Sequence, residues 1–393
     1  MKEIYYDNSA TTKVDPRVLQ EMLPFFQENF GNPNSAHSSG QSALSAIDDA
    51  REKIANYLSC ETQEIIFTSG ATESNNLAIQ GIINSLLQTQ DNLHIITSKI
   101  EHPSVLEVFK TISKKEGIEA GFVEVDSAGV VKLEKLKELI QPNTVLISIM
   151  YANNEVGSIQ PIREISEIIK VERDRRGEKG LPIYFHVDAV QAFNYLPCQV
   201  NWLGVDFLSF SGHKIFGPKG IGGLFAKRGI KFEPLAFGGH QEYSLRPGTL
   251  NVPGIVGLGK AVELVADEQE KNIQKIKKIK SKIAGELEKF ENVRFNGKGE
   301  FQLPNIINVS FQNAEGESIL MLLDMDGVAV STGSACSSGS LEPSHVLTAM
   351  GVQPKWAHGS IRISLGKDNT EVEVNTFIKS LTVAIKKLRE MAP

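Results

Sequence analysis

Between about residues 60 and 230, apolar positions come in short, nearly unbroken runs, separated by stretches where they recur every three or four residues. The short runs at 65–68, 93–97, 122–125, 145–150, 183–187, 205–210 and 222–226 are rich in Ile, Val and Phe and predict strands. Because most do not alternate with polar residues, they predict strands covered on both faces. Helical spacing predicts helices over 73–87, 105–115 and 162–173. Alternation of this kind points to a mostly parallel sheet with helices on both sides. Ligands of such sheets gather beyond the carboxyl ends of the strands.

A long helical pattern follows over 254–290, then strands over 293–296, 306–311, 328–331 and 361–364, with helices over 317–323 and 371–389. The expected division is a large domain of residues 15–254 and a smaller α/β domain made of 1–14 with 255–393. A chain of 393 residues can bury a core in each.

The net charge of −6 argues against a general nucleic-acid surface. The Lys-rich run 271–283 carries Ile273, Ile276, Ile279 and Ile283 at helical spacing, so its lysines are expected on the wet face of a helix. No apolar run reaches the roughly 18–20 residues that span a bilayer. The start, MKEIYYDNSATTKVDP, lacks the features of a signal or transit peptide. A cytoplasmic protein with no membrane partner is expected. Three cysteines, at 60, 198 and 336, form no C-x-x-C pair. Cys60 and Cys198 read as structural. Cys336 differs, because STGSACSSGS surrounds it with small residues that cannot build the packed wall a structural thiol prefers. That setting suits a thiol that travels.

The candidate chemistry sits at four strand ends. In VDFLSFSGHKIFGPKG an apolar strand ends at Ser211-Gly212-His213-Lys214. A desolvated lysine is a nucleophile for aldehydes, and Ser211 and His213 could bind an anion. In IYFHVDAVQAF, Asp188 could hold a pyridinium nitrogen protonated and Gln191 could bond a ring oxygen, although a helix N-cap is the plainer role for Asp188. In FTSGATESNN, Gly70, Ala71 and Thr72 open a helix whose N–H groups suit a small phosphate. It is neither a dinucleotide fingerprint nor a P-loop. In SKIEHPSV, His102 could stack on a ring and move protons. Together these groups describe a pyridoxal-phosphate site.

The stretches YYDNSATTKVDPRV, FGNPNSAH, FTSGATESNNLAI, EHPSVLE, SIMYANNEVGSIQPI, HVDAVQ, FLSFSGHKIFGPKGIGGL, RPGTLNVP, STGSACSSGSLEPSHVL and AHGSIRISLG carry a resemblance that runs almost end to end. The sequence resembles the cysteine desulfurases of the iron–sulfur-cluster and nitrogen-fixation type, among the class V, fold-type I pyridoxal-phosphate enzymes. The resemblance implies Lys214 as the Schiff-base lysine, Asp188 at the ring nitrogen, Gln191 at the ring hydroxyl and His102 as the stacking, catalytic histidine. It implies Ala71, Thr72, Ser211 and His213 in the phosphate cradle, and Asn154 beside cofactor and substrate. Thr249 would reach the phosphate of the other subunit in a homodimer, and Arg362 would grip the carboxylate of L-cysteine. Cys336 would take the sulfur as a persulfide, leave alanine, and pass the sulfur to an iron–sulfur scaffold or another acceptor protein. An arm of about six Gly/Ser-rich residues reaches roughly 13 Å on the flexible-chain estimate. No resident metal is implied, although Cys336 could touch a nascent cluster in transit. The competing readings are a selenocysteine lyase, a class V aminotransferase, or a non-catalytic sulfur-scaffold protein.

Overall fold

The computed structural model describes residues 3–332 and 343–391; Cys336 lies outside them. Twelve strands are described, among them β1 (Ile4–Tyr5), β2 (Ile65–Thr68), β3 (Leu93–Ser98), β4 (Ile118–Val123), β5 (Thr144–Met150), β6 (Tyr184–Asp188), β7 (Phe207–Ser211) and β8 (Gly222–Ala226). The rest are β9 (Val293–Asn296), β10 (Ile306–Phe311), β11 (Val328–Ala329) and β12 (Ser360–Ser364). Strands β2 to β8 form one sheet in the order β2-β8-β7-β6-β5-β3-β4. Only β8 runs against its neighbours, so the carboxyl ends of β2, β3, β5, β6 and β7 share one edge. Every residue of β2, β3, β5, β7 and β8 is buried, as their continuous apolar runs predict.

Helix Ala71–Leu86 covers one face, burying Leu77, Ile79, Ile82 and Ile83. On the other face the apolar core continues without a break from Phe185 and Phe210 to Ile307, Ile361 and Phe377. That far region holds a second, antiparallel sheet, β12-β10-β9. Helix Val252–Leu287 runs beside helix Ser38–Leu58, where Gly259 lets the backbones approach: a Cβ there would lie 2.7 Å from the Cα of Ala50. The N-terminal segment crosses the molecule. β1 pairs in parallel with β11, Asp7 bridges to Ser364, and Thr12 donates to the His213 carbonyl at 2.8 Å. Among the described residues no helix is long and apolar enough to cross a membrane.

Among the departures from the sequence expectation, two stand out. The strand expected over 122–125 is Ile118–Val123, because this sheet-edge strand is only partly buried and its apolar run misstates its position. Helix Ser38–Leu58, absent from the sequence reading, buries Ala43, Ile47, Ile54 and Leu58 under a polar-rich sequence.

Candidate active site

A cavity of about 610 Å³ opens at the shared edge of the large sheet. Its floor is made where five strands stop, and each stop delivers a side chain. β7 ends at Ser211 and the chain tightens into a single 3₁₀ turn, Gly212–Lys214, which turns Lys214 back toward the cavity. The Lys214 ammonium donates to the Ser9 carbonyl and, at 2.8 Å, to the Ala10 carbonyl. Gln191 spends its amide N–H on the same Ser9 carbonyl, at 3.0 Å. The N-terminal segment thus orients two site residues through backbone oxygens.

Asp188 closes β6 and is buried. One carboxylate oxygen accepts from the Val190 N–H at 3.0 Å, a capping-type bond, and the other from Asn75 Nδ2 at 2.8 Å. Both oxygens are held, so the carboxylate cannot rotate freely. Asn75 also donates to Ser104 Oγ at 2.9 Å, while its own Oδ1 is buried with no partner among the described residues.

His102 caps helix Pro103–Ile112: the Ser104 N–H donates to its Nδ1 at 3.1 Å. That bond makes Nδ1 an acceptor and leaves the proton of a neutral ring on Nε2. Burial lowers its pKa, Asp188 opposes this, and the charges of Lys214 and His345 add to it. His213 is pushed down to about 4 by burial and by Lys214 and Lys219. Its Nδ1 lies 3.2 Å from Thr11 Oγ1.

The anion end is the start of helix Ala71–Leu86. Gly70 stands there at φ 153°, ψ 176°, a conformation essentially restricted to glycine. A Cβ on it would find only Ser211 Oγ, at 3.7 Å, so the space in front of the Ala71 and Thr72 N–H groups is kept open. Glu73 in the same turn is paired with Arg246 at 3.0 Å, which offsets its charge. Lys219 lines this cavity too.

Opposite, Arg362 of β12 is buried and spends one guanidinium nitrogen on the Asn154 carbonyl (3.0 Å) and another on Asp7 (2.8 Å). Its Nε is buried with no partner among the described groups. Asn154 lines the cavity beside it.

The cavity thus gathers Ala71, Thr72, His102, Asn154, Asp188, Gln191, Ser211, His213, Lys214 and Arg362. Thr249 is exposed and lines no part of it. Cys60 and Cys198 are also away from it. Burial pushes the Cys60 thiol up to about 12 and the Cys198 thiol higher still. Asn75, Ser104, Lys219 and the Ser9–Ala10 carbonyls escaped the sequence reading. Only Lys219, in GHKIFGPKG, carried a signal there, as a second lysine after the same strand end. An amine, a fixed carboxylate, an N–H-rich helix start and a buried guanidinium donor suit a small phosphorylated aromatic aldehyde and an amino-acid carboxylate.

The family profile described as Aminotransferase class-V matches residues 4–377. A protein of Dictyoglomus turgidum named cysteine desulfurase IscS is 48% identical over 393 residues, covering 100% of this chain and 97% of that one. A cysteine desulfurase IscS of Methanosarcina thermophila is 47% identical over 392 residues, covering 100% and 94%. A solved structure titled NifS-like protein superimposes with a TM-score of 0.91 at 42% identity, covering 98% of this chain and all of that one. Another, titled SspA in complex with cysteine, gives 0.80 at 37% identity, covering 93% and 100%. This chain belongs to the class-V aminotransferase family, on its cysteine desulfurase branch.

Proposed function

We propose that the protein converts L-cysteine to L-alanine, leaving the sulfur on Cys336 as a persulfide for an acceptor protein. The reading is carried by one observation: Lys214, Asp188, His102, the glycine-opened helix start and Arg362 face a single cavity. Class-V aminotransferases and cysteine desulfurases depend on pyridoxal phosphate, and the groups present fit it. When bound, it supplies an aldehyde carbon for an amine and a sink for the electrons of a bond at Cα. Lys214 would hold it covalently, Asp188 would keep the ring nitrogen protonated, and Gln191 would bond the ring hydroxyl. The Ala71 and Thr72 N–H groups, Ser211 and His213 would bind its phosphate.

The chain's own residues account for the remaining work. Arg362 grips the substrate carboxylate, a task suited to its unpaired Nε, and Asn154 sits beside it. Neutral His102 keeps Nε2 for the site because Nδ1 is taken by its own helix start. Lys214 takes the proton from the substrate Cα. The Cys336 thiolate attacks the substrate sulfur: the S–S bond forms, the substrate C–S bond breaks, and its electron pair stays on Cβ, which takes up a proton; return of the proton taken from Cα then completes alanine. The enzyme thiol and L-cysteine together become the persulfide and L-alanine, so the step needs no outside oxidant. The sulfur acceptor would be an iron–sulfur scaffold or another thiol protein, the assembly a homodimer, and the compartment the reducing cytoplasm. A class V aminotransferase would need Lys214 and Asp188 but not Cys336.

The test is incubation with L-cysteine followed by mass spectrometry. One added sulfur on the Cys336 peptide, alanine released in equal amount, and loss of both in Cys336→Ser are expected. Alanine formation at the normal rate by Cys336→Ser would refute the reading, as would sulfur on Cys60 or Cys198 alone.

A further inference from the structure

Four polar side chains from three elements make one unbroken line of hydrogen bonds beside the cavity. Asn75, on the helix that opens with the anion cradle, donates to Asp188 Oδ2 at 2.8 Å and to Ser104 Oγ at 2.9 Å. Ser104 Oγ in turn lies 2.8 Å from His102 Nδ1, the nitrogen that also meets the Ser104 N–H at 3.1 Å. The donor and acceptor inventory fixes the directions of these bonds. Turning the Asn75 amide over would set its oxygen against the Asp188 carboxylate. Both amide hydrogens are therefore spent as donors, and Oδ1 is left with no partner among the described residues. Ser104 Oγ receives a hydrogen from Asn75 and keeps its own for His102 Nδ1. That nitrogen faces two donors from one residue. A proton on it would confront the Ser104 N–H and turn the hydroxyl away from its acceptor.

We infer that Ser104 is a positioning residue for the reaction: oriented by Asn75, its hydroxyl holds His102 Nδ1 as an acceptor and keeps the ring proton on Nε2, toward the cavity. The inference rests on the roles proposed above for His102 and Asp188, and it uses nothing from Cys336. Its physical sense lies in keeping two groups from sharing a proton. An imidazolium at residue 102 would compete with the cofactor's ring nitrogen for the charge of Asp188. The line through Asn75 and Ser104 instead joins histidine and carboxylate while offering the histidine only donors. The charges around the ring would stay in place if Ser104 alone were changed. Asp188, Lys214, His213 and His345 act on it through space. Glu73 and Glu107, from the two helices beside it, are paired with Arg246 and Lys110. Glu101, its chain neighbour, is turned to the Met150 N–H.

The test follows the ring directly. In the cofactor-loaded, full-length enzyme labelled with ¹⁵N-histidine, His102→Gln identifies the His102 signals. Ser104→Ala removes the hydroxyl, leaves the backbone N–H, and places a good helix former in the first turn. Its Nδ1 signal should move toward that of a free acceptor. Protonation of the ring should become about fivefold easier, the worth of one ordinary hydrogen bond, so the titration midpoint should rise by about 0.7 of a pH unit. Ser104→Thr keeps the hydroxyl and should return the midpoint to the wild-type value. Asn75→Ala frees the hydroxyl to rotate and should raise the midpoint too. In the Ser104→Ala background, Asn75→Ala should add little, because its effect on the ring passes through Ser104. Exchange of the L-alanine Cα hydrogen with D₂O involves no thiol, and the acid limb of its pH profile should move upward with the midpoint in Ser104→Ala.

An unchanged midpoint in Ser104→Ala would overturn the assignment. An acid limb that stays put while the midpoint moves would do so as well, since the bond would then be structural only. Additive shifts in the double variant would remove Asn75 from the line. If Asn75→Ala does not fold, the Ser104 variants still decide the role of the hydroxyl. Absence of a Cys336 persulfide in the wild type, with the Ser104→Ala shifts intact, is a distinct result: it removes the desulfurase reading and leaves this one standing.

Discussion

Two buried carboxyls that feel one another, Asp188 in the cavity and Glu101 outside its lining, stand under opposite conditions. Asp188 is buried but held by an amide and a backbone N–H. Glu101 is wholly buried between the Ser98 hydroxyl and the Met150 N–H, and burial, with help from Asp188, pushes it up to about 8 despite those bonds. A raised folded-state pKa means that, between about 4.5 and 8, the folded protein holds a proton the unfolded chain has lost. Glu101 therefore lowers stability progressively as pH rises through that window, with the penalty complete above about 8. Glu101→Gln carries no charge at any pH. Its stability relative to the wild type should rise from pH 5 to pH 8.5 in urea titrations, and a difference that does not change with pH would contradict the assignment. At this scale the sequence was legible where a chemical type coincided with a strand end, as at Lys214, Asp188 and His102. Asn75 was not, because nothing in SNNLAI marks which amide of a helix faces a carboxylate. Ser9 was not, because it acts through a carbonyl that every residue possesses.

Among the elements, the polar-rich helix Ser38–Leu58 is the clearest case of hidden structure, and it carries a charge inward. Arg51, on its buried face, meets Glu242 at 2.6 Å, bonds the Ile65 carbonyl at 2.6 Å and lies over the Phe67 ring. Glu242 in turn accepts the Phe67 N–H at 2.7 Å. The ion pair thus joins three elements: the helix, strand β2 that leads to the Gly70 cradle, and the segment 242–244. Three successive non-glycine residues there, Glu242, Tyr243 and Ser244, have positive φ. Such conformations cost on the order of 1–2 kcal/mol per residue and persist only where other contacts impose them. Arg51→Met would strand a buried carboxylate, at a cost of about 3–5 kcal/mol. Arg51→Met/Glu242→Met should recover part of that loss. Equilibrium denaturation measures both, and a single variant within about 0.5 kcal/mol of the wild type, the range of ordinary surface changes, would show that the pair holds nothing. Strands β2, β8, β9 and β10 were readable to the residue: β2 and β8 are short apolar runs, β9 alternates apolar and polar residues as VRFN, and β10 reads IINVSF. The loop 242–250 was not, since its geometry comes from Arg51, almost two hundred residues away.

For the whole molecule, the open question is what completes the anion end of the cavity. Arg246 reaches back to Glu73 at the start of the cradle helix, yet Thr249, three residues on, is exposed and outside its own chain's cavity. The same stretch exposes Phe237 at 89%. A large apolar side chain so displayed, beside a residue expected at a phosphate, fits a two-fold dimer in which each subunit lends Thr249 to the other. If so, the defects of two different variants should cancel in a mixed dimer. Lys214→Ala removes the reactive amine from its own site but leaves a normal Thr249 to lend. Thr249→Asp keeps its own amine but offers a carboxylate where a phosphate is expected, which like-charge repulsion should make intolerable. Each homodimer should be inactive toward L-cysteine. A heterodimer, isolated through two different affinity tags, should contain one site with both defects and one with neither, and so regain about half of the wild-type rate per dimer. Were Thr249 to serve its own chain, each site of the heterodimer would carry one defect. The mixed species would then be as inactive as its parents, and the exchanged-residue arrangement would be wrong.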